Sequence, residues 1–216
     1  MQPFRHLTRS AVALAAALAA SLAVLLATTV PAQAFTTYTP TGGPAVRLVG
    51  SGITFTNIAV GETFSCPTFD LTGSVISPGV SRAYGLPATT LTSVTSSCTP
   101  HPLCAPVVVA TTVPWYLAIT GDASAGTWPA RITTVKIQLS CGACQITLDG
   151  SVNGRFNAAT QVFKPDTGPS GLVQSGNNGH VLCTVLDLQN GDDYAVGGSW
   201  TNVPPSGSAG LAITNP

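Results

Sequence analysis

Charge is scarce in this sequence. Asp, Glu, Lys and Arg together make up 7% of 216 residues, and glutamate occurs once, as Glu62. Beyond residue 34 the cations are Arg47, Arg82, Arg131, Lys136, Arg155 and Lys164, six against eight acids, and they are scattered along the chain. Nucleic-acid binding needs a clustered basic surface to displace counterions, so this pattern speaks against a nucleic-acid partner. Sustained helical periodicity with caps is missing after residue 34, which excludes a helical bundle. No second apolar run approaches the roughly 17–25 residues of a spanning helix, so no transmembrane segment is expected there. Histidine is nearly absent as well: His101 and His180 are the only imidazoles past residue 34. No Gly-x-Ser-x-Gly elbow occurs, and Gly168-Pro169-Ser170-Gly171 reads as a turn.

What the sequence does contain begins with an export signal. Arg5 and Arg9 form a positive n-region, residues 11–27 are apolar apart from Ser21, and Ala32-Gln33-Ala34 is a small-x-small cleavage site before Phe35. The apolar run is mostly alanine and ends at Pro31, which favours cleavage over anchoring. Phe35 is not a cysteine and the two arginines are not adjacent, so lipoprotein and twin-arginine routes are disfavoured. The expected organisation is a signal peptide at 1–34, a flexible arm at 35–44 and one domain at 45–216 whose last few residues form a tail.

The six cysteines, Cys66, Cys98, Cys104, Cys141, Cys144 and Cys183, are even in number and suit an oxidising compartment. Sequence alone allows about 15 pairings. Short β-branched runs recur between Gly- and Pro-rich turns, at 46–49, 53–58, 69–76, 107–112, 115–120, 132–139, 144–152, 160–163, 181–188 and 194–200. The clearest alternation places Cys144, Ile146, Leu148, Gly150 and Val152 on one face and Gln145, Thr147, Asp149, Ser151 and Asn153 on the other. About ten short strands predict an all-β fold, a single disulfide-stapled β-sandwich or a barrel-like relative. One echo is visible: Gly73-Ser74-Val75 follows Cys66 much as Gly150-Ser151-Val152 follows Cys144, a pattern that a duplicated strand unit would produce.

These features together resemble a group of uncharacterised secreted proteins of actinobacteria. The shared elements are the alanine-rich signal, the strand with Cys66, the segment Val113-Pro114-Trp115-Tyr116-Leu117 and Cys144 ahead of Asp149-Gly150. Cys183 followed by Gly198-Ser199-Trp200 completes them. The resemblance implies an extracellular β fold with an early and a late cysteine pair, and no established activity. Cys104 and Cys141 stand outside its usual pattern and are left to each other. The implied set is Cys66–Cys98, Cys104–Cys141 and Cys144–Cys183.

Four motifs carry possible chemistry. Cys98-x2-His101-x2-Cys104 upstream of Cys141-x2-Cys144 has zinc-like spacing. Export favours three disulfides instead, with His101 on a surface loop and no metal. The Cys141-x2-Cys144 pair lacks the following helix that would lower a redox thiol pKa. Glu62 and Asp192-Asp193 are the carboxylates to weigh for glycoside chemistry or calcium, yet the latter two read as turn acids. Trp115 and Trp200 fall in strand-like runs. Trp128, in Gly126-Thr127-Trp128-Pro129, falls in an expected loop, so it is the one possible ligand contact.

No catalytic, cofactor or metal site is expected. The sequence points to a secreted extracellular or cell-envelope protein, a non-enzymatic structural or surface-interaction module of unknown specific role and unknown partner, with an extracellular or envelope surface as the candidate. A small-ligand or carbohydrate-binding protein is the second reading, and a secreted hydrolase the third.

Overall fold

Alternation of buried and outward side chains runs longest in β9 (Thr127–Cys141) and β10 (Cys144–Asn157), which pair along their whole length across the Gly142-Ala143 turn. Gly142 has φ +58°, a conformation that favours glycine. This hairpin belongs to the computed structural model, which describes residues 35–215; the expected signal peptide, 1–34, lies outside the described residues.

The chain then forms an up-and-down meander around that hairpin. Its strands are β1 (Thr37–Gly43), β2 (Ala45–Asn57), β3 (Thr63–Cys66), β4 (Thr68–Val75), β5 (Arg82–Ala83), β6 (Pro87–Ser97), β7 (Pro106–Ala110) and β8 (Trp115–Ile119). After β9 and β10 come β11 (Val162–Pro165), β12 (Leu172–Asn177), β13 (Asp193–Asn202) and β14 (Ala209–Thr214). One short helix, α1 (Val181–Val185), lies between β12 and β13.

Neighbours pair antiparallel in the order β2, β4, β6, β8, β9, β10, β12, β13, and β13 returns to β2 through pairs such as Tyr194 with Asn57 and Trp200 with Gly50. The sheet therefore closes into an eight-stranded barrel. Three of its staves are built from two pieces laid end to end. β3 and β4 both follow β2, β7 and β8 both follow β9, and β11 and β12 both follow β10. Of the two expected architectures, the barrel replaces the sandwich, because the last long strand finds the first one and leaves no open edge to stack as a second layer.

Bulges let the strands bend around the barrel. Register shifts fall at Thr72/Gly73, at Gly150/Val152 and at Gly197/Ser199, where Gly-Ser dipeptides recur. A Cβ on Gly73 would lie 1.8 Å from the Thr90 carbonyl oxygen, and one on Gly150 would lie 2.1 Å from that of Gly171. These close backbone approaches explain why the echoed tripeptides begin with glycine.

The lumen is filled. Phe69 sits at its centre, 5.4 Å from Phe55, 6.4 Å from Trp115 and 6.2 Å from Trp200, ring centre to ring centre. Both indoles satisfy their N–H groups inside the fold, Trp200 Nε1 donating to the Phe69 carbonyl at 2.7 Å and Trp115 Nε1 to Thr112 at 2.7 Å.

The two barrel ends differ. One end carries the β2–β3 turn, the β6–β7 connection, the β9–β10 turn and the β12–β13 connection with α1, and its connections hold all three disulfides. These are Cys66–Cys98, Cys104–Cys141 and Cys144–Cys183, the set implied by the resemblance. The other end is covered by a small sheet in which β1 lies between β14 and β5.

That small sheet corrects two expectations. The stretch 35–44, expected as a flexible arm, is mostly β1, with Tyr38 fully buried and its hydroxyl donating to the Leu86 carbonyl. The expected C-terminal tail is largely β14, with Leu211 fully buried. A third correction concerns 181–188, expected as a strand because Val181, Thr184 and Val185 are β-branched. It opens as α1, capped by His180, whose Nδ1 accepts from the Leu182 N–H at 3.2 Å, and held by the Cys183 disulfide.

Candidate functional site

The lumen of an eight-stranded barrel is wide enough to be filled by side chains or to hold one small ligand. Here Phe55, Phe69, Trp115 and Trp200, with aliphatic neighbours, reduce it to a void of about 10 Å³. That is room for a single water at most, and the lining is wholly apolar.

Each motif with possible chemistry has a place in this frame. His101 closes a tight turn on Cys104, their backbones bonding in both directions at 2.8 and 3.0 Å. Its Nε2 contacts the Glu62 carboxylate, its Nδ1 accepts from the Leu103 N–H, and its ring lies 5.6 Å from that of Phe64. The imidazole is thus largely covered rather than on the surface as expected. His101, Cys104 and Cys141 bring ligand-type atoms within 4.8 Å of one another. Both sulfurs are joined in a disulfide, so neither offers the thiolate that zinc requires. Cys141 and Cys144 face each other in register but bond to different partners.

The carboxylates at this end are structural. Asp192 accepts from Asn57 Nδ2 at 2.7 Å and from the Gln189 N–H at 2.8 Å. Asn57, Tyr194 and Gln174 form a buried polar layer, with the Tyr194 hydroxyl donating to Gln174 Oε1 at 3.3 Å. Burial, and then the nearby Asp192 and Glu62 charges, push the Tyr194 phenol well above the usual tyrosine range. His180 serves as the helix cap. Among the described residues, no serine or threonine hydroxyl bonds either imidazole, so no nucleophile–base pair is assembled.

Trp128, placed in a loop on sequence grounds, belongs to β9. It pairs with Phe156 and is only 6% exposed, so it is not available as a ligand contact. The Gly126-Thr127-Trp128-Pro129 punctuation suggested a loop, but β10 is long enough to pair past it.

The outward face of the same strands carries a feature the sequence reading missed. Arg155 on β10 stands directly opposite Lys164 on β11. On the other side of β10, β9 carries Arg131 opposite Asn153, one outward position away from Arg155. Three of the six cations beyond residue 34, scattered in sequence, therefore gather on three neighbouring strands. Arg155 and Lys164 line an open groove of about 610 Å³ together with Thr127, Asn157, Thr160 and Thr167, while Arg131 stands outside that lining. Asp166 is the acid in that lining; it accepts from Arg155 Nε at 3.4 Å, and Arg155 remains 67% exposed. A second furrow, of about 500 Å³, follows β6 and β7 and is lined by uncharged Val, Thr, Ser and Ala side chains.

The chain matches no protein-family model, no curated protein and no solved structure. No helix among the described residues is long and apolar enough to cross a membrane.

Proposed function

We propose that this chain is a non-enzymatic extracellular or cell-envelope module that works through its outer surface. The filled lumen carries the reading: a barrel packed with aromatic rings has no enclosed chamber for a substrate or carried ligand. The imidazoles and the disulfide-end carboxylates that hydrolysis would need are committed to a helix cap, a hairpin contact and a turn. Three disulfides at one end are compatible with an oxidising setting, and they fit the signal peptide read at 1–34. The resemblance to secreted actinobacterial proteins points the same way.

The test compares two properties of the purified domain. It should adhere to isolated cell-envelope material and show no turnover in a broad ester, peptide and glycoside screen. Turnover abolished by His101→Ala or His180→Ala would replace this reading with the hydrolase one.

A further inference from the structure

We propose that the outward face of β9, β10 and β11 binds an acidic polysaccharide, with Arg155 and Lys164 as the principal cations and Arg131 beside them. The inference rests on the surface-module reading and names the surface and the class of partner.

The register carries the argument. Like charges directly opposite on neighbouring strands repel, and a scaffold with so few charges has ample room to avoid the arrangement. Here two of six cations are placed opposite each other at the edge of a groove. The protein does not consume their hydrogen-bonding capacity. Asp166 engages Arg155 through Nε alone, and among the described residues the Arg155 Nη groups, the Lys164 ammonium and the Arg131 guanidinium make no hydrogen bond or ion pair with protein groups. A guanidinium fork beside an ammonium suits a carboxylate or another oxyanion.

Groove chemistry narrows the class of polymer. Thr160 and Thr167 bring hydroxyls that have no partner among the described residues, and Thr127 and Asn157 are bonded to each other at 3.3 Å, a polar lining suited to sugar hydroxyls. No tryptophan, tyrosine or phenylalanine lines the groove, so the stacking platforms that hold single-stranded nucleic acid are missing. Single contacts of this exposure are weak, and a polymer with repeating carboxylates gains through repeated engagement.

Polygalacturonate is the probe, with neutral dextran and single-stranded DNA as competitors, all at low ionic strength. The wild-type domain should bind polygalacturonate and ignore dextran, and binding should fall as salt is raised. Affinity should drop about tenfold for each cation removed in Arg155→Gln and Lys164→Gln. It should be lost in the double variant Arg155→Glu/Lys164→Glu and persist in Arg47→Gln, whose side chain pairs with Asp70 elsewhere on the barrel. Near-UV circular dichroism checks that each variant is folded. The proposal is overturned by wild-type protein that does not bind polygalacturonate, by an unaffected double variant, by equal binding of dextran, or by tighter binding of DNA. If envelope adhesion survives alongside any of these, the groove is wrong and the surface-module reading stands. If wild-type adhesion is absent too, both fall.

Discussion

The backbone nitrogen of Phe35 lies 3.0 Å from a carboxylate oxygen of Asp122. The same carboxylate accepts from the Tyr84 hydroxyl, and the Asn215 side chain lies 3.4 Å from it, so it gathers both ends of the described chain. Cleavage after Ala34 would turn that nitrogen into an α-ammonium and the hydrogen bond into an ion pair. Intact-mass measurement of the exported product should show a chain that begins at Phe35. In that processed chain Asp122→Asn should cost about 1 kcal/mol, and less in a chain extended before Phe35. A product retaining residues 1–34, or equal effects in both forms, would sink this account.

Alkaline pH should unfold the protein. Burial raises the Tyr38 phenol to about 12 from its ordinary 10.0, opposed by the Ile119 backbone and by the Arg82 charge. Tyr84 is pushed further up by burial and by Asp122, and Tyr194 by burial first. A phenol raised in the folded state adds stability that is complete below pH 10 and is lost as pH climbs through its folded value. Spectrophotometric tyrosine titration should therefore show these rings ionising late, together with the loss of near-UV dichroism. Ionisation of all three near pH 10 with the fold intact would contradict the burial.

Disulfide removal should be graded by what each bond closes. Cys66–Cys98 spans 32 residues, for which chain entropy gives about 3–4 kcal/mol. Cys66→Ser with Cys98→Ser should lower Tm by many degrees. Cys144→Ser with Cys183→Ser should do likewise and also release α1, seen as faster amide exchange confined to the β12–β13 connection. Uniform exchange across the barrel in that variant would show that the helix is held by other means.

The bulge glycines should not tolerate a methyl group. Gly73→Ala drives a Cβ into the Thr90 carbonyl and should cost about 2–3 kcal/mol. Gly61→Ala has φ +74° but open space around it, and should cost only about 1 kcal/mol. Chemical denaturation of the two variants separates close approach from backbone strain; equal losses would remove the steric explanation.

Local patterns were legible and long-range pairings were not. The alternation of β9 and β10 follows directly from Val135, Ile137 and Leu139 and from Ile146 and Leu148, because one face of each strand is buried. The Gly-Ser-Val echo was visible too, and both copies fall at strand bulges. Closure was hidden, since barrel and sandwich share the same strands until Asn57 meets Tyr194 from the far end of the chain. β1 was hidden for the same reason: Thr39 pairs with Thr214, and no local window contains both. Lys164 reaches Arg155 only through the β10–β11 register, and Trp128 enters β9 through its pairing with Phe156. The candidate groove is a product of pairing rather than of any motif.

The gathering of Phe35 and Asn215, the two ends of the described residues, at the pole opposite the disulfides has a mechanical consequence. Thr39 and Thr214 are neighbours near the tips of an antiparallel pair, so tension applied between Phe35 and Asn215 opens that pair one bond at a time, as a zipper opens. β1 and β14 should therefore peel away first under low force, while the barrel bears load only after they have gone. The cross-linked pole is the last to feel the pull. A protein tethered through either end would present that pole outward and keep its wall intact while its attachment yields.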